Sequence, residues 1–163
     1  MPAIKTEEDN FSIRFSYSEL LKKAQKFCIY QERAVYQIEK KLNEWGASIE
    51  TTEKIINNLK REDYINEERF VSLFVNSKLK HNKWGKNKIV TALHFYRIDE
   101  DIISKFAEFV DNELYIKVLA ELIEKKLREL QKEKDVYLRN YKILNYCKSK
   151  GFETDLINRI LNK

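Results

Sequence analysis

The sequence predicts an all-α fold of three tandem three-helix repeats, stacked into an elongated, curved helical array. Three observations lead to this prediction. The 163 residues include only three glycines and one proline, so the tight turns that sheet proteins require are scarce. Apolar residues recur at helical spacing along most of the chain, with charged residues between them. The apolar pattern also returns about every 50 residues, a period typical of helical repeat proteins.

The first repeat is predicted over residues 16–64, after a disordered N-terminal segment of residues 1–15. Ser16 and Glu19 have the spacing of a capping box, which predicts the start of the first helix. The second helix is predicted to end at Gly46, since glycine adopts the left-handed terminal conformation without strain. The third helix is predicted to start near Thr51. The residues predicted to face inward are Leu20, Leu21, Ala24, Phe27 and Cys28, then Val35, Ile38, Leu42 and Trp45, then Ile55, Ile56 and Leu59.

The second repeat is predicted over residues 65–111. Asn66 is a suitable N-cap, and Glu67 and Glu68 would lie at the positive end of its helix. Gly85 is predicted to break this helix from the next one, and Asp99 is predicted to cap one further helix. The residues predicted to face inward are Phe70, Leu73, Phe74 and Leu79, then Ile89, Leu93 and Tyr96, then Ile102, Ile103, Phe106 and Phe109.

The third repeat is predicted over residues 112–163. Its first helix opens at Asn112 and is long, Asp135 is predicted to cap the second, and Gly151 is predicted to end it. The residues predicted to face inward are Tyr115, Leu119, Leu122, Ile123 and Leu130, then Ile143, Leu144 and Cys147, then Leu156, Ile157, Ile160 and Leu161.

The middle helices of the three repeats share one register. Each has two apolar residues four positions apart, and the helix end follows four positions later. The corresponding series are Ile38, Leu42 and Gly46, then Ile89, Leu93 and Arg97, then Ile143, Cys147 and Gly151. Units that each bury a face against the next would present a long concave surface.

Catalytic and metal-binding patterns are missing from the sequence. His81 and His94 are too far apart for a helical ligand pair, and no glycine-rich phosphate loop or Gly-x-Ser-x-Gly motif occurs. The carboxylates alternate with Lys and Arg, as expected for surface ion pairs on helices. We therefore expect a protein that is not an enzyme and needs no cofactor or metal.

The sequence also indicates the cellular compartment of the protein. Residues 1–13 contain Glu7, Glu8 and Asp9 and no apolar core of a signal peptide. No apolar run approaches the ~20 residues that cross a bilayer. Cys28 and Cys147 lie apart in apolar patterns, which favours buried, reduced thiols. We expect a cytosolic protein with no membrane contact.

The most informative feature is a stretch without acidic residues between Glu68 and Asp99, in a chain of net charge +5. A second stretch without acids runs over residues 136–152. Their cations are Lys78, Lys80, Lys83, Lys86, Lys88 and Arg97 in the first, with Arg69 at its start, and Arg139, Lys142, Lys148 and Lys150 in the second.

These two stretches occupy corresponding parts of neighbouring repeats, so they are predicted to form one basic strip. Such cations can neutralise phosphates, which makes binding weaken with salt. Trp84 can stack on a base or sugar, or it can pack at its turn. An acidic protein partner remains an alternative to nucleic acid.

Three short motifs occur in a fixed order along the chain. The first, within Leu59 to Phe74, is Asp63-Tyr64-Ile65-Asn66-Glu67-Glu68-Arg69-Phe70, a helix end and a turn followed by acids, Arg and an aromatic. The others are Trp84-Gly85-Lys86-Asn87-Lys88-Ile89 with Leu93, a Gly-x-x-basic-Ile pattern, and Lys150-Gly151-Phe152, a basic-Gly-Phe turn. With these motifs, residues 17–163 resemble the RecX family of bacterial recombination regulators. Two departures are Arg97, where a glycine is usual, and Glu67-Glu68, where Asp is common.

The resemblance implies a regulator of the RecA recombinase in homologous recombination, DNA repair and the SOS response. Such proteins lie in the groove of the RecA–DNA filament and inhibit its growth, ATP hydrolysis and strand exchange. The implied partners are this filament and, through weak salt-sensitive binding, single-stranded and duplex DNA. The protein is expected to be a monomer, and Trp84 with the cations above other than Arg69 is expected to form the contact surface.

Two other classes of function stay open from the residues alone. One is a stand-alone helix-turn-helix regulator, built around Gly85 to Val110, that binds duplex DNA with sequence selectivity. The other is a helical scaffold that binds acidic proteins and no nucleic acid.

Overall fold

The computed structural model describes residues 15–162, and the regular structure in this range is entirely helical. The first unit contains α1 (Tyr17–Tyr30), α2 (Val35–Glu44) and α3 (Ile49–Arg61). The second contains α4 (Glu67–Asn82), α5 (Lys86–Phe95), α6 (Glu100–Ser104) and α7 (Phe106–Phe109). The third contains α8 (Asn112–Glu129), α9 (Val136–Ser149) and α10 (Thr154–Leu161). The predicted all-α fold is confirmed, while the disorder predicted for residues 1–15 falls, except for Phe15, outside the described range.

Side-chain caps start several of these helices where the sequence predicted them. Ser16 and Glu19 form the reciprocal capping box: the Glu19 N–H donates to Ser16 Oγ at 3.3 Å, and the Ser16 N–H donates to Glu19 Oε2 at 2.7 Å. Asn66 and Asp135 each accept a hydrogen bond from the N–H three residues later, at 2.9 and 3.1 Å. These bonds satisfy N–H groups that have no partner inside the helix.

Three apolar clusters hold the fold together, and each one belongs mainly to one unit. Members of one unit also enter the cluster of the next: Ala34 packs in the second cluster, Leu79 packs in the third, and Val110 touches both. The buried members are Leu20, Ala24, Cys28, Ile38, Leu42, Ile55, Ile56, Leu59 and Ile65 in the first; Ala34, Phe70, Val71, Val75, Ile89, Leu93, Ile98, Ile103 and Phe106 in the second; and Leu79, Tyr115, Val118, Leu119, Leu122, Ile123, Ile143, Cys147, Phe152 and Ile157 in the third.

The common register of the middle helices is confirmed. All six of its apolar residues are completely buried. The residues at the helix ends all have positive φ, at 80° for Gly46, 57° for Arg97 and 95° for Gly151. A left-handed Arg97 costs roughly 1–2 kcal/mol. Its guanidinium lies 4.6 Å from the Tyr36 ring and 3.8 Å from Glu39, contacts with the first unit that help to offset this strain.

The prediction that Leu73 faces inward is wrong, because its side chain is 56% exposed. Val71, Val75 and Leu79 line the buried face of α4 instead, at intervals of four residues. A residue two positions from Val71 points roughly 200° away around a helix, so Leu73 lies on the opposite face.

Two element boundaries also differ from the prediction. The third helix starts at Ile49, two residues before the predicted Thr51, and Ser48 is its N-cap. The single helix predicted after Asp99 is divided into α6 and α7 around Lys105. Ser104 Oγ donates to the Asp101 carbonyl at 2.8 Å, a bond of the kind that competes with the regular helix.

The second and third units meet through backbone groups at the start of α5. Gly85 is the N-cap and has no side chain with which to cap the helix. The third unit supplies the acceptors instead. The Gly85 N–H donates to the Lys150 carbonyl at 2.8 Å, and the Asn87 N–H donates to the Gly151 carbonyl at 2.9 Å. We call these contacts, together with the Tyr115 bonds below, the α5 junction.

Tyr115 completes the α5 junction from α8. Its hydroxyl accepts from the Lys86 N–H at 2.8 Å and donates to Glu153 Oε2 at 2.6 Å. Burial, and then the hydrogen bond to Glu153, raise the pKa of Tyr115 well above its usual value, so the hydroxyl keeps the proton that it donates.

The close approach at the α5 junction requires glycine on both sides. A Cβ on Gly85 would lie 2.5 Å from the Phe152 nitrogen, and one on Gly151 would lie 2.4 Å from the Lys88 Cβ. Gly85 has a negative φ of −87°, so space and not backbone conformation excludes a side chain there.

We predict that Gly85→Ala destabilises the protein by about 1–3 kcal/mol, because the added methyl group pushes α5 away from the third unit. Urea unfolding measures this loss. The Gly85 and Asn87 N–H groups should also exchange hydrogen faster in the variant. Gly46→Ala is the matched control: its φ of 80° makes a side chain there cost roughly 1–2 kcal/mol as well, but a Cβ has nothing within 4 Å, so exchange at Asn87 should stay unchanged. Unchanged exchange at Asn87 in Gly85→Ala would contradict the prediction.

Tyr115→Phe should lower stability by about 1–3 kcal/mol, since the Lys86 N–H then loses its acceptor inside the protein. The measurement is urea unfolding at pH 7. Tyr137→Phe serves as the control, because Tyr137 is 81% exposed and its change should be neutral. Equal stabilities for the two variants would show that the hydroxyl contributes nothing.

The two cysteines generate a prediction about pH. Both are buried and free, and burial raises the pKa of each thiol from 9.0 to about 11. Their stabilising contribution should be complete below pH 9 and lost as the pH rises through 11. The loss of unfolding free energy between pH 9 and pH 11 should therefore be smaller in the double variant Cys28→Ala/Cys147→Ala than in the native chain. A thiol that reacts rapidly with iodoacetamide in the native protein at pH 8 would refute this account.

Candidate nucleic-acid interface

The α5 junction brings the two predicted basic stretches into contact. Its second-unit side carries Lys83, Trp84, Lys86 and Lys88, and its third-unit side carries Lys148 and Lys150. Across it, Lys88 Nζ lies 3.4 Å from the Ser149 carbonyl oxygen, to which it donates. Cations 60 or more residues apart in sequence therefore share one surface, which we call the junction surface.

Trp84 lies between two lysines on the second-unit side. Lys78 Nζ and Lys88 Nζ are 5.1 and 5.0 Å from the centre of its ring. The indole is partly buried and packs against the second cluster, which corresponds to the structural role that we considered for it. Cations this close to an indole ring are held by its π electrons.

Three of the predicted cations have a carboxylate beside them that the sequence did not indicate. Lys83 lies 3.4 Å from Glu121, Arg97 lies 3.8 Å from Glu39, and Lys142 lies 2.7 Å from Glu133. The hydrogen bond from Lys142 lowers the pKa of Glu133. Stretches that lack acids in sequence are therefore partly neutralised in space, and Arg97 contacts the first unit.

The other predicted residues vary in their surroundings. Lys80, Lys86 and Lys148 are exposed, and the Lys86 ammonium lies 5.8 Å from the Phe106 ring. Lys150 Nζ lies 5.9 Å from the Tyr146 ring. Arg139 is partly buried, and its Nε has no hydrogen-bond partner among residues 15–162.

Sequence reasoning missed Lys126 and Tyr146 beside the third-unit side. Lys126 Nζ lies 4.7 Å from the Tyr146 ring and 2.6 Å from Glu129. The Lys126–Glu129 spacing of three residues was readable as a helical ion pair. The contact between Lys126 and Tyr146 joins α8 to α9, and no local sequence pattern indicates it.

Metal-binding clusters and membrane-spanning helices were also considered for the described residues. Over the described residues, no group of three or more His, Cys, Asp or Glu side chains is placed to hold a metal ion. No helix within 15–162 has the length and apolar content to span a bilayer.

Comparison with known proteins gives matches to two family models. The model described as RecX, second three-helix domain, matches residues 66–105, and the one described as RecX, third three-helix domain, matches residues 113–161. The α5 junction connects these two matched regions.

Curated relatives carry the same family name. The regulatory protein RecX of Clostridium tetani is 30% identical over 159 residues, which cover 96% of this chain and 69% of the relative. That of Clostridium perfringens is 30% identical over 128 residues, covering 78% and 59%. The chain thus spans less than two thirds of the length of several curated relatives that it matches.

Solved structures share the fold. The crystal structure of RecX from Lactobacillus salivarius superposes with a TM-score of 0.82 at 23% identity, covering 90% of this chain and 94% of that one. A second crystal structure of a regulatory protein RecX gives a TM-score of 0.77 at 21% identity. Together, the family models and the curated relatives establish that the chain belongs to the RecX family of regulatory proteins.

Proposed function

We propose that this chain is a non-enzymatic regulator that binds the RecA–DNA filament in its groove and inhibits filament growth, ATP hydrolysis and strand exchange. Membership of the RecX family supports this role, since its curated members are named regulatory proteins. The cytoplasm, where such filaments form, would be the site of action.

The observation that carries the proposal is the convergence of Lys86 and Lys88 with Lys148 and Lys150 at the α5 junction. Four ammonium groups on two touching turns can neutralise neighbouring phosphates on one strand. The turns are joined by backbone hydrogen bonds, so little conformational entropy is lost when both engage a ligand.

Binding to single-stranded or duplex DNA alone is proposed to be weak and to decrease with salt. Two cations of the region, Lys83 and Lys142, already have carboxylate neighbours, which limits the number of counterions that DNA can release. Additional affinity would come from the recombinase, through contacts elsewhere on a monomeric chain.

The helix-turn-helix alternative is less well supported. In the segment Gly85 to Val110, the helix that would follow the turn is divided into pieces of five and four residues. A recognition helix places several base-contacting residues along the major groove, which requires a longer helix than either piece.

The test is the triple reversal Lys86→Glu, Lys88→Glu and Lys148→Glu. We expect loss of co-sedimentation with RecA–DNA filaments and loss of RecA ATPase inhibition, because three attractive contacts with phosphate become repulsive. Helicity by circular dichroism should be unchanged, since all three side chains lie at the surface or the rim of the junction.

The matched control reverses Lys117, Lys125 and Lys132, three exposed lysines of the third unit. It changes the net charge by the same amount and should keep binding and inhibition. Equal losses in both variants would mean that only net charge matters, and undiminished inhibition by the junction variant would eliminate the junction surface.

A further inference from the structure

The first unit carries an apolar surface at the end of α1. Ile29 and Tyr30 are 72% and 86% exposed, although both are large and apolar. Phe27 and Trp45 form the adjoining floor, with their rings edge to face and 6.4 Å apart. Exposed apolar residues that adjoin one another, unlike single ones, are typical of an interaction site.

Cations surround this apolar area. Lys23, Lys26 and Arg33 line it, and none of its lining residues within 15–162 is acidic. Arg33 also stacks over Phe27 at 4.1 Å, and its Nε has no hydrogen-bond partner among the described residues. Lys23, Lys26 and Tyr30 are spaced by three and four residues, which places them on one face of α1. We call this the α1 surface, and its chemistry fits an acidic segment that also carries apolar side chains.

The chain enters the described range at the edge of the α1 surface. Phe15, the first described residue, packs on the first cluster, and Lys23 Nζ lies 3.6 Å from its ring. The same ammonium lies 4.7 Å from the Trp45 ring. The residues that precede Phe15 are therefore attached next to the surface.

Those residues have the required composition. Glu7, Glu8 and Asp9 are consecutive acids, and Phe11 and Ile13 follow them at alternate positions. Asp9 is six residues before Phe15, which allows a reach of about 20 Å in extended chain. The stretch of α1 from Lys23 to Tyr30 is only about 10 Å long, so the segment can span it.

We propose that residues 4–13 of this chain dock on the α1 surface, with Phe11 and Ile13, the residues nearer Phe15, toward its apolar floor, and the three acids, farther along the segment, toward Lys26 and Arg33. The covalent tether gives the segment an effective concentration in the millimolar range, so a weak contact is sufficient. Docking shields Lys26 and Arg33 from external anions. This inference does not depend on the proposed function, since it concerns a different face and needs no recombinase.

The experiment places a nitroxide spin label at Thr6→Cys in the 15N-labelled full chain, where the native thiols are buried. We expect the amide signals of Lys26, Ile29 and Tyr30 to broaden beyond detection, and to recover when the label is reduced. Reversal of Glu7, Glu8 and Asp9 to Lys in the same labelled chain should restore most of the signal.

The charge-matched control reverses Glu108, Glu113 and Glu124, which are exposed on the second and third units, and should keep the broadening. Signals that are identical with and without the reversed acids would overturn the proposal in favour of a disordered segment. Broadening of a 15N chain by a separately labelled, unenriched chain would overturn it in favour of a second copy as the occupant.

Discussion

The start of α5 is capped by the third unit, and the arrangement of the second and third units depends on this interaction. Gly85 has no side chain with which to satisfy the first N–H groups of its helix, so carbonyl groups of Lys150 and Gly151 and the Tyr115 hydroxyl accept from them. Backbone acceptors can come this close only because Gly85 and Gly151 have no Cβ. Buried N–H groups must have hydrogen-bond acceptors. This requirement explains both why Gly85 and Gly151 are glycines and why the two units are in contact.

The same contact assembles the junction surface, because lysines flank both glycines: Lys86 and Lys88 follow Gly85, and Lys148 and Lys150 precede Gly151. The positive charge in this region is partly offset by neighbouring groups. Lys83 and Lys142 have carboxylate neighbours, while Lys78 and Lys88 lie beside the Trp84 ring. A surface of this kind suits a ligand that a second component also holds, as proposed for a recombinase filament, better than tight binding to free DNA.

Much of the fold was readable from local patterns. Caps at Ser16, Asn66 and Asp135 and the shared register of the middle helices depend on neighbours within a few residues, and the structure has them as predicted. Leu73 was placed wrongly because its apolar character gave no information on which face of α4 is buried. Long-range contacts, such as Lys83 with Glu121 and Tyr115 with Glu153, join residues 38 apart, and no local pattern specifies them. The basic stretches were evident in the sequence, whereas their partial neutralisation required the tertiary structure.

We propose that the α5 junction makes two basic turns act as one binding surface. The most direct measurement is the affinity of Gly85→Ala for RecA–DNA filaments, at a temperature where circular dichroism shows its helices intact. This variant keeps every cation and alters only the contact that aligns them. We expect a clear loss of filament affinity compared with the native chain and with Gly46→Ala. Native affinity in Gly85→Ala, with faster exchange at Asn87, would show instead that the cations act independently of the junction.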